Sequence, residues 1–166
     1  MRGFIVAVLV LLALPVVTAT DMVVINSEDW HDVYTGMMYA KLAGLDAHYV
    51  AEKTQGLQLI DEVLPKYRKE VLLIESEKPI IFGYQSHLER AGFTVEKYVS
   101  HDFQKTNLDF AGKLASIDRY LIIDDTLGYN AISVAPYALL TNAFVLFANE
   151  DNIDELNTFL EQQGKE

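Results

Sequence analysis

Four polar clusters carry the side chains that could do chemistry in this 166-residue chain. They occupy positions 26–32, 75–77, 100–102 and 124–130, each directly after a segment that is predicted below to form a strand. Glu28, Asp29, Asp124 and Asp125 supply the hard oxygen ligands that calcium prefers, but their spacing does not match an EF-hand loop. Acidic side chains on polar loops are more often only solvated. Calcium is therefore a minor alternative, and no resident cofactor is expected.

The sequence offers little for nucleophilic catalysis. His31 lies beside Asp32 and His101 beside Asp102, but no Gly-x-Ser-x-Gly motif accompanies them. The chain contains no cysteine, which excludes a thiol nucleophile and cysteine-ligated zinc. It also has no GxGxxG or Walker loop for a nucleotide phosphate. A hydrolase that uses Asp or Glu carboxylates stays open, because the separation of two carboxylates cannot be read from a sequence.

Aromatic side chains beside the polar clusters could contact a sugar ring. Trp30, Tyr34, Tyr129 and Tyr137 are the candidates, although aromatic residues at helix starts more often anchor a core. The complete set of candidate ligand-binding residues is Asn26, Glu28, Asp29, Trp30, Asp124, Asp125 and Tyr129.

Asp32 and Asn130 are better explained as helix N-caps. Each stands directly before or within the start of a helical pattern, where a side-chain oxygen can accept hydrogen bonds from unpaired backbone N–H groups. We therefore expect these two residues to cap two equivalent helices.

The elements that must position these residues alternate along the chain. The sequence predicts strands at 22–25, 47–50, 71–74, 95–99, 120–123 and 144–147, and helices at 33–43, 57–64, 85–91, 108–115, 131–140 and 153–160. Such alternation favours an α/β fold with one mostly parallel sheet that helices cover on both faces. In such folds ligands bind beyond the carboxyl ends of the strands, which is where the four polar clusters fall.

An internal repeat relates the two ends of the chain. At an offset of 98 residues a strand-helix-strand unit matches without gaps. Ile25 aligns with Ile123, Asp32 with Asn130, Thr35 with Ser133, Tyr39 with Tyr137, and Leu42 with Leu140.

These repeated segments resemble a known family. Residues 128–132 (GYNAI) and 135–138 (APYA), with the apolar strand that follows, resemble the type-two cell-wall-binding repeat of bacterial and archaeal surface proteins. The first copy carries the same pattern at 30–34 (WHDVY). Residues 102–107 (DFQKTN) are similar to the Asp-Arg-Tyr-x-Thr-Asn segment that joins two repeats in that family.

The resemblance implies a Rossmann-like three-layer sandwich of about one and a half repeats. It further implies a non-enzymatic module that attaches surface or surface-layer proteins to envelope polymers. One departure bears on the ligand, because Phe103 occupies the position of the family's arginine.

The charge of the chain narrows the choice of partner. Its 24 acidic and 13 basic residues give a formal net charge of −11, which disfavours nucleic acids, anionic lipids and polyanionic wall polymers. We expect an envelope protein or a neutral glycan as partner, and a homo-oligomer remains open.

Residues 1–19 resemble a signal peptide. Arg2 precedes an apolar run over 4–17, and Val17 and Ala19 suit the −3 and −1 positions of a cleavage site. Residues 20–166 would then form a single secreted domain. An uncleaved membrane anchor is the alternative, since the run approaches the length of a bilayer span.

The predicted function is an extracellular, non-enzymatic module of the cell envelope or surface layer. The alternatives are a secreted carboxylate-dependent hydrolase and a soluble small-ligand receptor.

Overall fold

The computed structural model describes residues 20–164, in which strands and helices alternate. The elements are β1 Met22–Asn26, α1 Trp30–Leu42, β2 Asp46–Tyr49, α2 Lys53–Gln58, a π-helical turn Leu59–Val63, β3 Glu70–Ser76, α3 Tyr84–Arg90, β4 Thr94–Ser100, α4 Phe103–Gly112, β5 Arg119–Asp124, α5 Gly128–Leu140, β6 Ala143–Ala148 and α6 Ile153–Gln162. Each of the predicted strands and helices is confirmed within a few residues of its expected bounds. The predicted signal peptide, 1–19, lies outside the described residues.

All strand pairs in the described residues are parallel. A four-stranded sheet has the order β2-β1-β3-β4, and β5 and β6 form a separate two-stranded sheet. The fold is the expected α/β, Rossmann-like three-layer sandwich with a mostly parallel sheet.

The division into two sheets corrects the prediction that all strands join one sheet. The edge of β6 that faces away from β5 meets α4 instead of another strand. Asn107 of α4 accepts a hydrogen bond from the N–H of Phe147 and donates one to the C=O of Val145, both at 3.1 Å. This buried carboxamide satisfies the β6 backbone as a neighbouring strand would, so the sheet ends there.

Both faces of the larger sheet are apolar. Met22 and Val24 face a core that includes residues of α3 and the π-helical turn. Val23 and Ile25 face the opposite core, which α1, α4 and β6 share. Successive strand residues point to opposite faces, so burial on both sides requires the unbroken apolar run seen in β1.

The internal repeat is present in the structure. Both boundaries of α5 lie 98 residues after those of α1, and β5 and β6 occupy the places of β1 and β2. The second unit, β5 to α6, has no counterpart of β3, β4 or α4 within residues 20–164. It is therefore half of the first unit.

The two predicted helix caps are wrong, because α1 and α5 each begin before the predicted position. The N-cap of α1 is Asp29, whose carboxylate accepts from the N–H of His31 at 2.9 Å. Asp32 lies inside the first turn of that helix and is buried. The N-cap of α5 is Leu127, and Asn130 instead donates from its side chain to the C=O of Asp124.

Candidate functional site

Two neighbouring clefts open at the carboxyl ends of the strands in the larger sheet. The aromatic cleft, of about 630 Å³, is lined by Ser27, Glu28, Trp30, Val33, Tyr34, Met37, Tyr49, Val50, Ala51, Ile80 and Ile132. The acidic cleft, of about 590 Å³, is lined by Glu28, Asp29, Asp32, Ser76, Glu77, Lys78, Ser100, His101, Asp102, Phe103 and Gln104. Glu28, on the loop between β1 and α1, belongs to both. Their position agrees with the rule that ligands bind beyond the carboxyl ends of parallel strands.

The aromatic cleft combines rings from two elements. Trp30 and Tyr34 come from the first turns of α1, and Tyr49 ends β2. Tyr49 is 48 % exposed and Trp30 is 37 % exposed, so both present ring surface to solvent. The hydroxyl of Tyr34 donates to the C=O of Ala131 at 3.0 Å, which ties α1 to α5. Burial raises the pKa of Tyr34 to about 12, so this phenol stays neutral at physiological pH.

A stack of three rings holds Trp30 in place. The imidazole of His31 lies between Trp30 and Phe103, with ring centroids 3.7 Å and 3.8 Å away. Phe147 of β6 meets Trp30 and His31 edge-on. The stack joins α1, α4 and β6, and it orders the Trp30 side of the cleft before any ligand arrives.

His31 is also fixed by hydrogen bonds at both ring nitrogens. Nδ1 lies 2.6 Å from Oδ1 of Asp29, and Nε2 lies 3.3 Å from the C=O of Asp125. Both partners are acceptors, so the imidazolium form makes both bonds together. Burial raises the pKa of Asp29. Its hydrogen bonds with the side chain and the backbone of His31 lower that pKa by more than burial raises it, so the pKa of Asp29 lies below its ordinary value.

Asp32 is the centre of a buried polar network. It accepts from Ser27 at 2.7 Å and from Ser100 at 2.6 Å, and Ser100 accepts from Thr106 at 2.8 Å. Burial raises the pKa of Asp32 more than the bonds from Ser100 and Ser27 lower it. The network connects the loop after β1 with the end of β4 and with α4. Its role in the structure is to hold these elements around the clefts.

The other predicted site residues do not line either cleft. Asn26 is fully buried, exchanges two hydrogen bonds with the backbone of Ile81 and donates to Glu75. Asp125 accepts from the side chains of Gln104 and Asn149, Asp124 accepts from the N–H of Thr126, and Tyr129 is exposed on α5. The structure therefore brings together only Glu28, Asp29 and Trp30 of the predicted set.

The calcium alternative receives no support from the geometry. Within residues 20–164 there is no group of three or more His, Asp or Glu side chains that could hold a metal ion. Asp29 is occupied by His31, and Asp125 by two side-chain amides.

Sequence reasoning missed Tyr49, Met37, Ile80 and Ile132 of the aromatic cleft. Tyr49 could have been found, because it lies next to the end of the predicted strand 47–50, at the edge where ligands bind. Ile80 and Ile132 come from a distant loop and from α5, and no local pattern places them beside Trp30.

Among the helices of residues 20–164, none combines the length and the apolarity that a bilayer crossing requires. Comparison of the chain with protein-family models, with curated proteins and with solved structures finds no match.

Proposed function

We propose that this chain is a non-enzymatic binding module of the cell envelope that holds a neutral glycan in the aromatic cleft. The observation that carries the proposal is the convergence of Trp30, Tyr34 and Tyr49 on one cleft of about 630 Å³ at the carboxyl edge of the sheet. A volume of this size suits a small ligand or a short segment of a polymer.

The chemistry of the lining favours a sugar. Aromatic and aliphatic side chains offer flat apolar surface, against which the C–H groups of a sugar ring can pack. Glu28 adds a carboxylate to the lining, and its oxygens can accept hydrogen bonds from sugar hydroxyls. Few polar groups on a mostly apolar wall are typical of small-ligand sites.

The charge around the cleft favours a neutral ligand. The adjoining acidic cleft is lined by five carboxylates, those of Glu28, Asp29, Asp32, Glu77 and Asp102, and by one lysine, Lys78. With a net charge of −11 on the chain, a phosphate-bearing or carboxylate-bearing polymer would be repelled. Phe103, at the position of the family's arginine, lies in the ring stack and supplies no positive charge.

The assignment to the cell envelope is supported by two sequence features. One is the signal-peptide pattern of residues 1–19, and the other is the resemblance of 30–34, 102–107 and 128–138 to the cell-wall-binding repeat. In residues 102–107, Thr106 and Asn107 make buried hydrogen bonds to Ser100 and to β6, so this segment positions α4.

Binding to envelope glycan fractions tests the proposal. Titration calorimetry with neutral and with anionic fractions should show heat of binding for the neutral fraction alone. Tyr49→Ala should weaken binding at least about fivefold, since an aromatic contact contributes about 1 kcal/mol. Tyr67→Ala, at a tyrosine 82 % exposed that does not line the cleft, is the matched control.

Two outcomes would contradict the proposal. Equal effects of the two variants would remove the aromatic cleft as the site. Release of shortened glycan during the titration would favour the hydrolase alternative, and chromatography of the ligand after the experiment detects it.

A further inference from the structure

The second unit leaves one edge of its sheet without a partner. In the first unit β1 pairs with β2 on one side and with β3 on the other. Within residues 20–164 its counterpart β5 pairs with β6 only. The place that β3 holds beside β1 is therefore open beside β5.

The open edge of β5 presents unpaired backbone groups. The N–H of Asp125 donates to the C=O of Ala148 in β6. Because backbone groups in a parallel strand alternate between its two sides, those of Leu121 and Ile123 also face β6. Tyr120 and Ile122 direct their N–H and C=O groups to the open side. A strand in this state is a template for pairing with another chain.

Apolar side chains surround this edge. Ile122 is 50 % exposed, and a groove of about 500 Å³ beside it is lined in part by Tyr120, Tyr137 and Leu160. Helix α5 carries no charged residue, and its Leu140 is 86 % exposed.

The repeat shows what kind of contact is missing here. Tyr39 of α1 packs edge-on against Phe110 of α4, with ring centroids 4.8 Å apart. Its counterpart Tyr137 has no equivalent of α4 to contact within residues 20–164, and it is 60 % exposed.

The other sheet edges in the described residues are protected. β4 carries Glu96 and Lys97 in its middle, and β2 is only four residues long, which is itself a protection against edge pairing. The outer edge of β6 is satisfied by the carboxamide of Asn107. Charged residues and buried caps are the usual devices against edge pairing, and β5 has neither between Arg119 and Asp124.

We propose that β5 of a second copy of this chain occupies the open edge, so that two copies pair antiparallel about a two-fold axis. This arrangement is closed and uses the same surface of both copies. Pairing β5 with β2 or β4 of another copy would set an apolar edge against charged residues and would leave further edges open. The absence of charge on α5 lets two chains of net charge −11 approach here with little local repulsion.

Symmetry and charge select the register. Under a two-fold axis perpendicular to the sheet, one residue of β5 must lie opposite the same residue of the second copy. A register centred on Leu121 would place Asp118 opposite Asp124 of the second copy, which like-charge repulsion opposes. A register centred on Ile122 places Arg119 opposite Asp125 of the second copy. Its outward-facing backbone groups pair Ile122 with Ile122, and Tyr120 with Asp124, of the second copy. The register centred on Ile122 is the one expected.

The mass of residues 20–166 in solution tests this pairing independently of the glycan proposal, and both hydrophobic clusters lie within that part of the chain. Light scattering after gel filtration, over a concentration series, should show a dimer in equilibrium with monomer. Ile122→Lys places a charge at the centre of the contact and should weaken dimerisation at least about tenfold. Val63→Lys, at another half-exposed aliphatic residue far from β5 in the chain, should leave the dimer unchanged.

A cross-linking experiment covers the case in which Ile122→Lys does not fold. The chain has no cysteine, so Ile122→Cys and Val63→Cys each carry a single thiol. A short bifunctional thiol reagent should join two copies of Ile122→Cys much faster than two copies of Val63→Cys. A monomer at every concentration, or equal cross-linking of the two variants, would overturn the proposal.

Discussion

Replacing Asn107 tests the explanation of why the fold has two sheets. Asn107 is 1 % exposed, and its carboxamide bonds the N–H of Phe147, the C=O of Val145 and the hydroxyl of Thr35. Leucine has a similar size but no polar atom. Asn107→Leu therefore keeps the packing of α4 and removes the two hydrogen bonds that Asn107 makes to the edge of β6, while Asn152 keeps its bond to the C=O of Phe147.

The cost follows from the groups that lose their partner. A buried backbone group without a hydrogen bond costs about 1–3 kcal/mol, and two such groups of β6 are affected. Added apolar burial by leucine offsets part of this. We expect the free energy of unfolding to fall by about 2–4 kcal/mol, a large share of the total for a domain of this size.

Urea denaturation followed by circular dichroism measures the effect. The midpoint should fall at an unchanged slope, because the surface exposed on unfolding stays the same. Asn130→Leu is the matched control. Asn130 makes one long hydrogen bond, 3.2 Å, at the surface, so its replacement should change stability by no more than about 0.5 kcal/mol. Hydrogen exchange at the N–H of Phe147 should also accelerate in Asn107→Leu.

Equal midpoints for the two variants would show that the Asn107 carboxamide does not stabilise the edge of β6. Unchanged exchange at Phe147 would mean that the Asn107 carboxamide does not protect the β6 edge.

Three further predictions concern pH, ligand charge and export. Because burial raises the pKa of Asp32 above 3.8 in the folded state, ionised Asp32 opposes folding above that pKa, and the penalty disappears as pH falls through it. Denaturation should therefore show the stability of Asp32→Asn rising relative to the original chain as the pH rises above about 4. For Asp124→Asn, whose carboxyl has a lowered pKa, stability relative to the original chain should instead fall as the pH rises through the range just below 3.8, and a rise there would contradict the assignment. The isolated protein should not bind polyanionic wall polymers in EDTA, and tight binding that weakens as salt is added would reveal a basic groove that overrules the net charge. Mass spectrometry of protein from the native host should find a mature N-terminus near Thr20, whereas full-length soluble cytoplasmic protein would refute export.

The order of strands and helices could be predicted because it depends on local patterns. Strands buried on both faces require continuous apolar runs, and β1 and β6 have them. The repeat could be predicted as well, since equal spacing places Tyr39 and Tyr137 in equivalent helices.

The caps and the sheet boundary could not be predicted, because both depend on distant contacts. Asp29 and Asp32 are both suitable caps by type, and what engages Asp32 is Ser100, 68 residues away. Likewise, nothing around Asn107 in the sequence indicates that it will cap β6, whose residues come 38 and 40 positions later. Trp30 and Tyr34 could be placed near the start of one helix, but their neighbour Tyr49 comes from β2.

The fluorescence of Trp30 reports directly on whether a neutral glycan binds in the aromatic cleft. It is the only tryptophan of the chain and lines the aromatic cleft, so its emission reports on that cleft alone. Titration with a neutral envelope glycan should change the emission with saturation, and Tyr49→Ala should shift the midpoint to at least about fivefold higher concentration. Saturable binding by calorimetry with no change in Trp30 emission would place the glycan elsewhere and would contradict the proposal that it binds in the aromatic cleft.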